Sequence, residues 1–481
     1  MHKKQLKNIL NKFFCIFFTV FFVVLLVFYI KTKVLNPNLS LINIINITIL
    51  IFNLLFWIWA FFSKNNYKAI LLISYFSFIF SVYASELLLN KINKNAKFKY
   101  FVKQNKEQNK IYDTRSKFEI YKDLKKTQII SPLYRPFNQL KTKQKIIAKI
   151  DNIEKEILIL SGVSNRKTIV CNENGEYLIY LSDRYGFNNP DDLWESSSDA
   201  VILGDSTTLG ECVPYGNDIS SILRNENKKL IINLGMGGNG PLLQLATLKE
   251  YQPLTNSNKI IWVYYEGNDL LDIYNEKKNK ILLNYFDKEF KQDLYKIQNS
   301  IDNKILKLIE QQYKNYQKNK YISFFLLSEV RENLKNFLKG KKSNQPYLKF
   351  KYNVNIPLVY QNIANINSEN PYSSNIKMYE KILNEVHKFS IKNNTKNYFV
   401  YLPAVARFNG EFENNEDLFA RREILNLAEK FNFELIDIYA EFFKNQKNPL
   451  EFYPYNGKRR HFNSKGYKAI ADIISKKIYK N

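Results

Sequence analysis

The residues most suited to chemistry begin with Ser206, which closes the apolar run "VILGDS" and is followed by "TTLG". A serine hydroxyl is a poor nucleophile until a base takes its proton. The chain holds only three histidines, so the search for that base is short. His2 sits at the N-terminus, and His387 lies in the polar helical pattern "KILNEVHKFSIKN". His461 lies in "NGKRRHFNSKGYKAIADIISKKI", immediately before the last amphipathic helix pattern. A serine attacking a carbonyl also needs donors for the oxyanion that forms. The backbone N–H of Ser206, a glycine N–H in "NLGMGGNGP" and the side-chain amide of Asn268 in "YYEGND" are the available set. A glycine suits such a place because no Cβ keeps its backbone from the substrate.

These residues are far apart in sequence, so a fold must bring them together. "DAVILGDS", "KLIINLGM", "KIIWVYYEGND", "NYFVYLPA" and "FELIDIYAEF" read as five strands, separated by amphipathic helix patterns such as "DISSILRNEN" and "PLLQLATLKEYQ". Near-continuous apolar strands alternating with helices indicate an α/β fold with a parallel sheet covered on both faces. Ligands of such sheets sit beyond the carboxyl ends of the strands. The first three strands end there in Gly204-Asp205-Ser206, in the glycine-rich loop, and in Gly267-Asn268-Asp269. Residues from about 274 to 379 are charged and helical in pattern and read as a helical insertion. Residues 93–195 read as a stalk followed by a hairpin (Arg166–Asn189), leading into a domain over 196–481.

Gly204-Asp205-Ser206, Gly238, Gly267-Asn268-Asp269 and His461 resemble, in order, the four signature blocks of the SGNH/GDSL hydrolase superfamily. "SDRYGFNNP", "NLGMGGNGP" and "YYEGNDL" resemble a membrane-anchored bacterial subgroup of it. The resemblance implies a flavodoxin-like three-layer α/β/α parallel sheet and a serine esterase. Ser206 is then the nucleophile, His461 the base, and Ser206, Gly238 and Asn268 the oxyanion hole. Asp205 and Asp269 are expected to support the loops rather than to act as catalytic carboxylates. The sequence departs from the family at one position. Where the family places an aspartate three residues before the histidine, this chain has Lys458, followed by Arg459 and Arg460. A lysine cannot accept the imidazole N–H. Three outcomes are open: a dyad helped by a backbone carbonyl, a carboxylate from elsewhere (Asp437 and Glu451 are nearest in sequence), or a non-catalytic site. The basic residues are alternatively placed to face an anionic substrate or lipid head group.

The net charge of +26 comes from lysines scattered along the chain, which argues against a nucleic-acid partner. The first ninety residues hold three apolar runs, about 13–30, 41–62 and 69–85. They read as three transmembrane helices within residues 1–92. Lysines before Phe13 favour a cytoplasmic N-terminus, which puts the catalytic domain in the extracytoplasmic (periplasmic) space, anchored to the inner membrane. Cys15 lies in the first run. Cys171 and Cys212 are the right number for one bridge in an oxidising compartment, two unrelated buried thiols being the alternative. No His/Cys/Asp cluster has metal-ligand spacing, so neither metal nor cofactor is expected. The expected activity is hydrolysis of esters on envelope glycan or lipid. The alternatives are an O-acyltransferase of envelope polysaccharide and a non-catalytic glycan-binding protein.

Overall fold

The computed structural model describes residues 2–29, 41–151, 153–338, 371–409 and 420–480. It divides into one unit of residues 1–94 with 322–343 and a second of residues 95–321 with 344–481.

In the first unit, Ile9–Val27 and Ile70–Lys94 are helical, long and apolar enough to cross a membrane. The remaining expected span is the helix Leu41–Phe62. Trp57 is fully buried here, stacked on Phe18 and edge-on to Tyr75, each at 4.6 Å. Phe13, Phe17 and Val24 point outward. Part of the expected insertion belongs to this unit. Glu86, buried on the helix Asn65–Glu107, accepts the backbone N–H groups of Glu329 (3.0 Å) and Val330 (2.8 Å). It thereby satisfies donors that the first turn of the helix Ser328–Leu338 would otherwise leave open.

Ten strands are described in the second unit. β1 (Ile130–Pro132), β2 (Ile146–Ile150), β3 (Ile153–Ile157), β4 (Lys167–Ile169) and β5 (Ile179–Leu181) precede the main sheet. β6 (Ala200–Leu203), β7 (Ile231–Asn233), β8 (Lys259–Tyr265), β9 (Lys396–Leu402) and β10 (Glu434–Asp437) form it. All neighbours in the main sheet are parallel, in the order β10-β9-β8-β6-β7. Counted along the chain, that is order 2-1-3-4-5. The direction of winding reverses between β6 and β8, so a crevice opens at their carboxyl ends. Val201 and Leu203 face one buried layer, and Ala200 and Ile202 the other. The sheet is therefore covered on both faces, as the unbroken apolar strands require.

Residues 93–195 do not form a stalk, contrary to the sequence expectation. The helix Asn65–Glu107 runs on without a break, and Phe101 near its end is buried. Ile120, Ile130, Ile157 and Tyr180 then belong to the same core as Leu203 and Trp262. Charged side chains made this stretch look solvated, but its apolar residues alternate in short elements, each burying one face. The expected hairpin is present as the antiparallel pair β4–β5, extended by β1 alongside β4. The insertion is also less separate than expected. Ile301, Ile305, Ile309 and Tyr313 bury one stripe of the helix Gln298–Phe325 in the main core. Residues 371–379 begin the helix Pro371–Lys392 that leads into β9. Residues 339–370 of the insertion lie outside the described residues.

Candidate active site

Ser206 is the first residue of a one-turn helix, Ser206–Leu209, directly after β6. Asp205 caps that turn, its Oδ1 accepting the Thr207 N–H at 2.8 Å and the Thr207 hydroxyl at 2.7 Å. Strand and turn meet closely at Gly204, where a Cβ would come within 2.0 Å of Thr208 Oγ1. A larger residue there would displace the serine from the strand end.

His461 Nε2 lies 3.0 Å from Ser206 Oγ, across 255 residues of sequence. It stands just ahead of the helix Ser464–Tyr479, whose N-cap Asn463 accepts the Gly466 N–H at 3.0 Å. On the other side of the ring, Nδ1 is 3.2 Å from Glu173 Oε2. The contact is an ion pair rather than an in-line hydrogen bond, and the same oxygen accepts the His461 backbone N–H at 3.3 Å. Neither carboxylate near His461 in sequence reaches it. Asp437 pairs with Arg421, and the backbone carbonyl of Glu451 accepts the Asn463 side-chain N–H. Of the open outcomes, the arrangement is that of a carboxylate from elsewhere. It comes from the turn between β4 and β5.

Lys458 and Arg459, ahead of His461, do not face its ring. Lys458 Nζ lies 3.7 Å from the centre of the Tyr100 ring, and the Arg459 guanidinium 4.2 Å from that of Phe101. Arg459 also donates to the Tyr112 hydroxyl at 3.0 Å. These cation–π contacts fasten the loop that carries His461 to the end of the long helix.

Cys171 and Cys212 form a disulfide, their Cα atoms 5.1 Å apart. Glu173 is two residues from the first, and Asn174 donates to the backbone carbonyl of the second. The bridge thus holds the Glu173 turn against the segment following Ser206. It closes a loop of 41 residues, which chain entropy values at about 4 kcal/mol. Replacing both cysteines by serine is expected to lower unfolding stability by about that amount, read by urea denaturation of the detergent-solubilised protein. The two cysteine-containing metal-ligating groupings among the described residues both draw on sulfur atoms already joined in this bridge.

Glu211, adjacent to Cys212, is buried, and its Oε2 lies 4.0 Å from His461 Nε2. Arg135 Nη2 donates to that same oxygen at 2.6 Å. Burial acts most strongly on His461 and by itself would lower its pKa. Glu173, Glu211 and Asp205 together overcome it and raise the imidazole to about 9. Burial correspondingly pushes the Glu173 carboxyl up, but the facing His461 and nearby Arg459 hold it below the usual range. At neutral pH the pair is an imidazolium–carboxylate, with Nε2–H donating to Ser206 Oγ and the serine hydroxyl reaching Asp205 Oδ2 at 3.3 Å.

Gly238 adopts φ +82°, a backbone conformation that side-chain-bearing residues rarely take. Among the described residues, the Ser206 and Gly238 backbone N–H groups donate no hydrogen bond. The Asn268 amide donates one N–H to Asp272 Oδ2 at 2.6 Å and retains a second. Asp269 is buried, accepts the Tyr265 N–H at 3.0 Å, and is held well above the ordinary carboxyl range by burial. Burial likewise takes Asp272 to about 7 and Glu276 to about 8. Glu276 caps the helix Pro241–Tyr251 that follows the glycine loop, accepting the Leu242 N–H at 2.9 Å.

The structure therefore brings Ser206 and His461 together, with Asp205 beside them. The sequence reading missed Glu173, Glu211 and Arg135. The chain matches no protein-family model and no curated protein sequence.

Proposed function

We propose that the chain is a membrane-anchored serine esterase of the SGNH type, with a flavodoxin-like catalytic domain. The observation that carries this reading is that His461 stands between Ser206 and Glu173, its Nε2 3.0 Å from Ser206 Oγ and its Nδ1 3.2 Å from Glu173 Oε2. It lies at the reversal point of a parallel sheet of order 2-1-3-4-5, where such folds bind ligands.

In this mechanism neutral His461 takes the Ser206 proton as Oγ attacks the ester carbonyl. Glu173 holds the ring and offsets the imidazolium charge that forms. The oxyanion is met by the N–H groups of Ser206 and Gly238 and the free N–H of Asn268. His461 then protonates the departing alcohol, leaving an acyl-Ser206. Water, deprotonated by His461, releases the acid. A sugar hydroxyl in place of water makes the same machinery an O-acyltransferase. Asp205 and Asp269, whose carboxyl pKa values burial raises, maintain the strand-end loops.

Membrane anchorage is supported by the two long apolar helices. An extracytoplasmic catalytic domain on the inner membrane is supported by the Cys171–Cys212 bridge. That placement favours ester groups of envelope glycan or lipid as substrates. The test is turnover of short-chain p-nitrophenyl esters by the detergent-solubilised full chain. Turnover that disappears in Ser206→Ala supports the reading, and equal turnover by wild type and Ser206→Ala overturns it. Adding a glycan acceptor and weighing the products separates transfer from hydrolysis.

A further inference from the structure

The helix Gln298–Phe325 runs out in "ISFFLL", residues 322–327, and the helix Ser328–Leu338 follows at once. Ile322, Phe325 and Leu326 are exposed, and a run of apolar residues at an exposed corner calls for something to cover it. Leu327 makes the corner at φ +50°, a left-handed conformation that glycine or asparagine ordinarily takes at a helix end. The surface beside the corner is the helix Ile70–Lys94. The Phe324 and Tyr83 rings lie 5.4 Å apart, and the Tyr83 hydroxyl donates to the Phe325 backbone carbonyl at 3.1 Å. Phe80 and Leu87, about one turn to either side of Tyr83, are exposed as well.

These contacts fall on either side of a boundary in that helix. Residues 69–85 carry no charge, and Glu86 is the first charged residue after them. Tyr83 stands about 4.5 Å along the helix on the uncharged side of Glu86, and the aromatic residues of the corner meet it there. The polar start of the next helix meets the charged side. Glu86 accepts the Glu329 and Val330 N–H groups, and the Asn93 amide donates to the Glu329 carboxylate. The protein itself thus satisfies these backbone groups, as it must where water does not reach. We propose that residues 322–327 enter the lipid leaflet beside the helix Ile70–Lys94, with Phe325 and Leu326 among acyl chains and Glu329 at head-group level. The occupant is lipid because the exposed residues of the corner continue the exposed apolar face of a helix read as crossing the bilayer. The proposal rests on that membrane anchorage. It gives the segment between β8 and β9 a membrane contact of its own.

The test uses the full chain carrying Cys15→Ala, reconstituted in phosphatidylcholine vesicles whose acyl chains bear doxyl quenchers. Cys171 and Cys212 are joined, so a single introduced cysteine takes the NBD fluorophore. Phe80→Cys marks the uncharged stretch of the spanning helix, and Lys91→Cys, exposed beyond Glu86, marks its outer end. Phe325→Cys and Leu326→Cys are each expected to lose fluorescence to doxyl lipid nearly as fully as Phe80→Cys and more than Lys91→Cys. Two corner positions are read so that one badly tolerated substitution does not decide the outcome. Quenching at both corner positions no greater than at Lys91→Cys, with Phe80→Cys quenched, overturns the insertion and leaves the anchorage standing. Blue-shifted emission from the corner that doxyl lipid does not quench marks cover by protein, such as a second copy of the chain, and overturns it as well. An unquenched Phe80→Cys removes the anchorage, and the insertion with it.

Discussion

Glu173→Gln is expected to reduce kcat/KM by roughly 10²–10⁴-fold on the high-pH plateau, because the imidazolium formed during attack loses its counter-charge. The same substitution has a second signature. His461 must be neutral to accept the Ser206 proton, and it is raised to about 9. In the wild type, kcat/KM therefore climbs with pH through an apparent pKa near 9. Removing the Glu173 charge takes away the largest of the influences that raise the imidazole, so this limb moves to lower pH while the plateau falls. A residue that merely supported the fold would lower the plateau and leave the limb where it was. Stability is linked to the same titration. The raised His461 contributes stability that is complete below its unfolded value of 6.5 and is lost as pH rises through about 9. Glu173, lowered in the fold, contributes stability present at neutral pH that is lost on acidification. Comparing kcat/KM across pH for wild type and Glu173→Gln checks both halves.

Asn268→Ala is expected to cost roughly 10²–10³-fold in kcat with little change in KM, since the lost donor meets charge that exists only in the transition state. The size of the effect depends on how firmly the amide is held. Asp272 grips one N–H at 2.6 Å, which fixes the plane of the group and aims the other. Asp272 and Glu276 are four residues apart on the helix Asp269–Glu276, so they share a face. Glu276 reaches the helix that follows the glycine loop. One helix face therefore holds both the Asn268 amide and the start of the helix that follows the glycine loop. Steady-state kinetics on a single short-chain ester separates kcat from KM for this variant.

Much of this arrangement was legible in the sequence. The five apolar runs were readable because strands buried on both faces carry no alternating polar positions, and all five are strands of the main sheet. Ser206, Gly238 and Asn268 each fall at the end of one of them, and the scarcity of histidine singled out His461. Glu173 was not read as a partner because its contact with His461 crosses 288 residues. No local periodicity records such a contact. The cysteines held the available signal: a bridge from Cys171 to Cys212 puts the segment around Cys171 beside Ser206, and Glu173 is the acid nearest Cys171 in that segment. The supposed stalk failed for a related reason. Its lysines mask short apolar stretches such as Ile157–Leu160, fully buried in the main core. Arg135 looked like one more member of a scattered basic population, and only its contact with Glu211 sets it apart.

Activation of Ser206 by His461 is read out by treating the full-length protein with a fluorophosphonate probe from about pH 6 to about pH 10 and sequencing the labelled peptide. One adduct is expected, on Ser206, forming faster as pH rises toward 9. The adduct is absent in Ser206→Ala and slowed roughly 100-fold or more in His461→Ala. A folded wild-type protein that takes no label at any pH in that range, or one labelled as fast after Ser206→Ala as before, would contradict that activation.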